Sequence, residues 1–165
     1  MQAQDHPAIG HQLQYPSAHQ LEDLCSLDIF FGDVPSVPTP TGTRMLFAVQ
    51  RGIVEGPKLS GAIVPGSIDW VTVGDDAIAR VEVKAVIRTH DDALIQLTTT
   101  GRAQLGPQLG RFLAGELVTA DEAYIRTSPL FETKDPRYTW LNHLVTVARC
   151  DLSTSRIRYR ISALS

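Results

Sequence analysis

The residues with the clearest chemical potential are Asp69 and Trp70, which lie shortly after the turn dipeptide Pro65-Gly66. A carboxylate beside an indole at the rim of a cavity is partly desolvated, and desolvation raises the pKa of a carboxyl toward a value that suits a general base. Alternatively, Asp69 caps the turn by accepting backbone N–H bonds while Trp70 lies in the core. Glu55, just before a Gly-Pro dipeptide, is open to two similar interpretations, a second catalytic carboxylate or a hydrogen-bonded loop acid.

Polar and aromatic residues that share a strand face form a second group of candidates. Arg126 and Glu132 have the same parity along one apparent strand, so they are expected to face the same side of the lumen wall. They either pair as a structural salt bridge or hold a carbonyl or carboxylate ligand. Tyr138, Trp140 and Asn142 also share parity. They form either one wall of a ligand site or core aromatics with an amide that fixes a turn.

His90, the two cysteines and the lack of common catalytic motifs narrow the range of reactions that the sequence can support. His90 lies in an apparent β-turn, where it either shuttles protons near neutral pH or is simply exposed, which is the commoner outcome. The sequence has no GxSxG motif, phosphate loop or dinucleotide fingerprint. Cys25 and Cys150 form no CxxC pair, so they are predicted to be buried thiols rather than zinc ligands. We therefore predict an acid–base site that uses no metal and no cofactor.

Short β-strands are the elements that must position these residues. Nine segments rich in β-branched and aromatic residues alternate with Gly, Pro and Asp turns. They cover residues 24–31, 45–54, 59–64, 68–73, 80–85, 93–100, 124–133, 144–149 and 157–161. Helical spacing occurs behind Pro107, where Leu109, Phe112 and Leu113 share a face. A sandwich or a barrel fits this spacing, and a barrel is favoured because nine strands in one open sheet leave long unprotected edges.

The composition fits one soluble domain, predicted at residues 21–165 after a flexible N-terminal arm at residues 1–20. A net charge of −3 argues against a general nucleic-acid partner, and no apolar run reaches the roughly 18–20 residues of a membrane span. The lack of a signal-peptide pattern predicts the cytoplasm. All basic residues lie from Arg44 onward, so an acidic first strand either meets a basic last strand or both present solvated faces.

Six motifs between Gly52 and Asn142 occur in an order typical of one family. They are GIVEGP at 52–57, LSG at 59–61, PGSIDW at 65–70, THDDALI at 89–95, RTSPLFET at 126–133 and YTWLN at 138–142. Over about residues 22–163 the chain resembles the DUF3237 family, also called UPF0311, most of whose members have no assigned function. The resemblance implies an all-β, antiparallel, lipocalin-like barrel of about nine strands, with one or two short helices and a cavity at its mouth. Some fungal members are linked to stereoselective ring closure, in which a hydroxyl adds across an activated alkene.

Together with the polar residues above, the resemblance implies an enzyme that adds a hydroxyl or water to an activated C=C, as a hydratase or cyclase, or catalyses the reverse. Asp69 or Glu55 is the expected base, and Arg126, Tyr138 and Asn142 are the expected donors to an enolate oxygen. The expected substrate-binding residues are Trp70, His90, Glu132, Trp140 and Asn142. The alternatives are a carrier that binds an apolar metabolite unchanged and a mainly structural homodimer.

The chain departs from the family pattern at several positions. His90 and Asp92 stand in a turn where relatives typically have an acidic residue and a glycine. Ala85 or Gln96 stands where relatives often have tyrosine. Such changes are expected to alter the cavity, so the substrate of a relative does not transfer directly to this chain.

Overall fold

Ten strands and one short helix make up residues 19–165, the part of the chain that the computed structural model describes. The strands are β1 (Leu21–Phe31), β2 (Ser36–Thr39), β3 (Gly42–Glu55), β4 (Gly61–Ile63), β5 (Ile68–Val73), β6 (Ala79–Thr89), β7 (Leu94–Gln104), β8 (Tyr124–Glu132), β9 (Thr146–Leu152) and β10 (Arg156–Leu164). Helix α1 (Leu109–Leu113) follows a 3₁₀ turn at Gly106–Gln108, and a second 3₁₀ turn spans Thr139–His143. The predicted N-terminal arm lies, but for its last two residues, outside the described residues.

The barrel closes because β1 pairs antiparallel with β10 on one side and with β3 on the other. Around the wall the order is β1, β10, β9, β8, β7, β6, β5 and β3, and every pairing is antiparallel. Of the two short strands, β2 pairs with β3 alone, whereas β4 pairs with both β3 and β6 and so lies between the same two strands as β5. The predicted antiparallel β-barrel with a short helix is therefore confirmed, and its closure removes the long edges that an open sheet would expose.

The proline-rich segment before β3 supplies the strand that the sequence did not indicate. Three prolines within residues 35–40 rule out a helix or a central strand, and β2 is neither. It is a four-residue arm of a hairpin in which Pro38 lies opposite Thr43. A strand with a single neighbour tolerates a residue that has no N–H to donate.

Alternation along the strands sets the two faces of the wall. On β6, Val81, Val83, Ala85 and Ile87 are buried, whereas the residues between them are exposed. The same period-two pattern continues on β7, β8 and β10. Burial of these apolar side chains stabilises the folded barrel by roughly 25 cal/mol of free energy per Å² of apolar area removed from water.

The closing seam also carries an ion-pair network. Asp28 on β1 accepts hydrogen bonds from Arg156 and Arg158 on β10. The hydrogen bond from Arg156 is the largest cause that lowers the pKa of Asp28; burial opposes it, and with the contribution of Arg158 the pKa falls to about 2. The acidic first strand thus meets the basic last strand, which was one of the two alternatives for the uneven charge distribution.

Helix α1 forms where the helical spacing predicted it. Pro107 occupies the preceding 3₁₀ turn, Phe112 is buried, and Gly115 ends the segment with a φ of 81°. Downstream, Glu122 accepts hydrogen bonds from the N–H and hydroxyl of Thr119, the pattern of a capping box. It closes a turn before β8 rather than starting a helix.

Candidate functional site

A cavity of about 620 Å³ occupies one end of the barrel interior. Its wall is largely apolar, with Phe31, Phe47, Val71, Val81, Ile125 and Ile157 among the lining residues. The mouth is bordered by the β2–β3 turn, the β5–β6 turn and α1, which contributes Leu109 and Leu113. This volume lies in the usual range for small-molecule sites, and such sites are also lined mainly by apolar side chains.

Asp69 is a buried carboxyl in the wall of this cavity. It lies on β5 between Phe47 of β3 and Val83 of β6, and its parity matches that of the inward-facing Val71. Only 5% of the residue is exposed, and this burial raises the pKa of Asp69 to about 7. Its Oδ1 atom has no hydrogen-bond partner among residues 19–165. An unpaired buried carboxyl is costly to folding, which marks Asp69 as a candidate functional group.

Two hydroxyls on the inner face are likewise buried without a partner in the described part of the chain, those of Thr99 and Tyr159. Thr99 on β7 pairs with Val83, the same residue that pairs with Asp69 from the other side. Burial raises the pKa of Tyr159 well above its ordinary value, and the nearby Asp69 adds to the shift. Tyr159 therefore stays protonated and can donate a hydrogen bond.

Only weak features of the sequence pointed to these two hydroxyls. Tyr159 shares the inward face of β10 with Ile157 and Ile161, so a hydroxyl among aliphatic neighbours was the available clue. Thr99 lies in the run Thr98-Thr99-Thr100, whose members have the same chemistry and differ only in direction. The pairing of neighbouring strands is needed to show which of the three points inward.

Charge at the cavity is of one sign. The ionisable residues that line it are Asp69 within and Asp75 at the mouth, and none of its lining residues among 19–165 is Lys, Arg or His.

Other common features of functional sites are not found among residues 19–165. No three His, Cys, Asp or Glu side chains come together there as metal ligands, and no helix there has the length and apolar character of a membrane span. Cys25 and Cys150 are free, and burial raises the pKa of both to about 12, which keeps the thiols protonated.

The residues expected to accompany Asp69 lie elsewhere. Trp70 points outward and is 45% exposed, because successive residues in a strand face opposite sides. The apolar wall, rather than an adjacent indole, therefore desolvates Asp69. Glu55 is exposed at the end of β3 and does not line the cavity.

Arg126 and Glu132 share a face of β8, but it is the outer face, and the expectation of a shared lumen face is wrong. The inward residues of this strand include Ile125 and Thr127, which line the cavity. Arg126 donates to the carbonyl oxygens of Ala120 and Ile125 at 3.2 and 3.0 Å. Glu132 is exposed.

The β6–β7 turn and the second 3₁₀ turn lie at the end of the barrel opposite the cavity mouth. Around them lie four of the predicted site residues, none of which lines the cavity: Tyr138, Trp140, Asn142 and His90. The Tyr138 hydroxyl donates to Oδ1 of Asp91 at 2.8 Å, and the Trp140 indole donates to the Arg137 carbonyl at 3.1 Å. The Asn142 amide bonds both the N–H and the carbonyl of Thr133. The His90 Nδ1 lies 3.0 Å from the Ser60 hydroxyl. These side chains fix turns.

Tyr138→Phe tests this placement. The substitution removes the hydrogen bond to Asp91 but keeps the buried ring, so we expect the thermal midpoint to fall by roughly 2–5 °C. Turnover of any substrate is expected to stay unchanged, because the hydroxyl lies away from the cavity. Differential scanning calorimetry checks the midpoint, with Tyr124→Phe on the surface as a matched control. Loss of turnover at an unchanged midpoint would contradict the structural role.

An eight-stranded antiparallel barrel with a ligand-sized cavity and the buried carboxyl of Asp69 in the cavity wall defines the class of this protein. The chain belongs to the DUF3237 family, whose model, described as a protein of unknown function, matches residues 20–164. A UPF0311 protein of Rhodopseudomonas palustris is 30% identical over 129 residues, which cover 76% of this chain and 84% of the relative. A UPF0311 protein of Clostridium acetobutylicum is 33% identical over 105 residues, which cover 62% and 66%. The family predicted from the six motifs is confirmed.

Solved structures show the same barrel. A conserved protein of unknown function from R. palustris aligns with a TM-score of 0.84 at 25% identity, over 90% of this chain and 99% of that one. A β-barrel-like protein from Acinetobacter baumannii aligns with a TM-score of 0.78 at 27% identity, over 92% and 99%. An enzyme from Penicillium herquei aligns at 0.64 with 20% identity, over 89% and 97%, and shares the fold.

Proposed function

We propose that this protein is an acid–base enzyme that uses Asp69 to add a hydroxyl or water to an activated C=C of a small, largely apolar molecule, or to catalyse the reverse. The observation that carries the proposal is the unpartnered carboxyl of Asp69 in the cavity wall, whose pKa burial raises to about 7. A base with this pKa is deprotonated in part of the population at neutral pH and still binds a proton strongly enough to accept it.

The proposed step needs one base and one or more donors. The Asp69 carboxylate takes the proton from the hydroxyl or water as its oxygen bonds to the β-carbon of an α,β-unsaturated carbonyl compound. The π electrons of the C=C move toward the carbonyl, and the enolate oxygen accepts hydrogen bonds from donors in the wall. The protonated Asp69 then gives its proton to the α-carbon, which restores the carboxylate. The addition is therefore balanced without an oxidant or a reductant.

Thr99 and Tyr159, like the residues first expected, lie outside the cavity lining, but their hydroxyls are buried on the inner face near Asp69, which supports them as the donors. Both face inward and have hydrogen-bonding capacity that no described residue uses. Arg126, Tyr138 and Asn142 instead hold backbone or turn groups away from the cavity.

A carrier of an apolar metabolite is the second candidate, and the apolar wall favours it. The two functions differ in what becomes of a bound compound. A purely structural role would be favoured by an interior filled with side chains, whereas this interior has a cavity of about 620 Å³.

A ligand screen with product analysis separates the candidates. Native mass spectrometry of the purified protein with enones, lactones and phenolic polyketides finds binders, and each binder is then recovered and weighed. A gain of one water, or a cyclised isomer of unchanged mass, supports the enzyme. Binders that are returned unchanged after prolonged incubation, at all pH values between about 6 and 9, favour the carrier and contradict the proposal.

The charge of the cavity predicts selectivity for uncharged ligands. Within the described residues its lining offers a carboxylate no cationic partner, so burial of an anion beside Asp69 is opposed by both desolvation and repulsion. For a matched pair in which an amide is replaced by a carboxylate, we expect the acid to bind at least about tenfold more weakly at pH 8, a difference of roughly 1.4 kcal/mol. Titration calorimetry measures both affinities, and the difference between acid and amide should be smaller for Asp69→Asn than for the wild type. Equal binding of acid and amide would argue against ligand binding near Asp69.

A further inference from the structure

Five arginines lie side by side on the outer face of the barrel, one on each of five neighbouring strands. Their register is direct, since each lies opposite the next in the pairing of the strands. In order from β6 to β10 they are Arg80, Arg102, Arg126, Arg149 and Arg160, and together they form the arginine row. Because neighbouring strands are about 4.8 Å apart, the row extends over roughly 19 Å.

The outer members of the row have carboxylate partners from the same chain. Arg80 pairs with Asp76 at 2.7 Å. At the other side Arg149 pairs with Asp121, and Arg160 makes two hydrogen bonds to Asp151 at 2.9 and 3.0 Å. Carboxylates of the same chain therefore neutralise the positive charges of these three arginines.

The central pair, Arg102 and Arg126, has no carboxylate within salt-bridge distance among residues 19–165. Their hydrogen bonds go to main-chain carbonyls, that of Gly101 for Arg102 at 2.7 Å and those of Ile125 and Ala120 for Arg126. Carbonyl oxygens satisfy N–H groups but do not cancel a full positive charge. Like charges directly opposite each other on neighbouring strands are destabilising, so this pair carries a cost that a bound anion would relieve.

The chemistry of two adjacent guanidiniums identifies the ligand class. Each guanidinium presents a planar fork of donors that matches the two oxygens of a carboxylate or a phosphate. The Arg126 guanidinium also lies over the exposed ring of Tyr124, with its carbon 5.3 Å from the ring centroid, which helps to hold it in place. We propose that Arg102 and Arg126 form a binding site for the oxyanion groups of a small multivalent anion.

This site is separate from the proposed catalytic cavity. The residues flanking the pair along β7 and β8, Ala103, Ile125 and Thr127, line the cavity from the inner side of the wall. The arginines have the opposite parity and face away from it. An anion on the outer face therefore does not occupy the site of an uncharged substrate, and either proposal can fail without the other.

Titration calorimetry with pyrophosphate and with citrate tests the site, at about 20 mM NaCl, where the Debye length is roughly 20 Å and charges are only weakly screened. We expect saturable binding that Arg102→Gln weakens at least tenfold. The matched control is Arg88→Gln, which removes the same charge from the far end of β6, where Arg88 pairs with Asp92. The control is expected to stay within twofold of the wild type.

The thermal midpoint of unfolding is a second readout, measured without and with anion. Without anion at low salt, Arg102→Gln removes a repulsion, so its thermal midpoint should rise by roughly 1–2 °C, and it should lose the stabilisation that pyrophosphate or citrate gives the wild type. Binding of pyrophosphate alone assigns a phosphate ligand, and binding of citrate alone assigns a carboxylate. No saturation by either probe, or similar weakening in Arg102→Gln and Arg88→Gln, would overturn the proposal.

Discussion

Asp69→Asn is expected to lower kcat/KM for the substrate found by the screen by about 10²–10⁴-fold, the usual contribution of a positioned general base. The amide has nearly the shape of the carboxylic acid, so the cavity stays intact, but it cannot take a proton from a hydroxyl or from water. Because the pKa of Asp69 is about 7, kcat/KM of the wild type in the direction of addition should rise with pH below about 7 and level off above it. Asp69→Asn should lack this rise.

The control for that experiment is Asp75→Asn, which removes a carboxylate at the exposed mouth of the same cavity. It is expected to keep wild-type turnover within about twofold, since an exposed side chain contributes little to proton transfer inside the barrel. Glu55→Gln should also be silent, because Glu55 lies outside the cavity. An Asp69→Asn variant that turns over like the wild type would remove this carboxyl from the mechanism.

Much of the fold could be predicted because it depends on local patterns. Alternation, turn dipeptides and proline positions locate the strands to within a few residues, and β5 was predicted at the bounds it has, residues 68–73. The helical spacing of Leu109, Phe112 and Leu113 gave α1 in the same way. Closure followed from the need to avoid edges, a physical requirement that acts on the whole sheet.

The site was harder to predict because parity shows that residues share a face, but not which face is inside. Arg126 and Glu132 do share a face, and it is the outer one. Tyr138, Trp140 and Asn142 lie on a 3₁₀ turn or next to it, where strand parity does not apply. The arginine row and the inward hydroxyl of Thr99 both depend on the register between strands, which no single segment contains.

The ionisation of Asp69 should also make the protein less stable as pH rises. The pKa of this group is about 7 in the folded state and about 3.9 in an unfolded chain. Between these values the folded protein retains a proton that the unfolded chain has lost, so the free energy of unfolding falls with rising pH and levels off above about 7. At about 1.4 kcal/mol per pKa unit, the part of this loss between pH 5 and 7 amounts to roughly 2–3 kcal/mol.

Asp69→Asn removes that titration, so the variant should be close to the wild type in stability at pH 5 and more stable by roughly 2–3 kcal/mol at pH 8.5. For a domain of this size the difference corresponds to about 5–10 °C in the thermal midpoint. Urea denaturation at the two pH values measures it, with Asp75→Asn as the control. Asp28 does not interfere, because its lowered pKa of about 2 confines its effect to more acidic conditions. A gain in stability paired with a loss of turnover is the behaviour of a group that is kept for function at a cost to folding. The same difference between variant and wild type at both pH values would mean that Asp69 does not titrate in this range, and it would take away the basis for its role as a base.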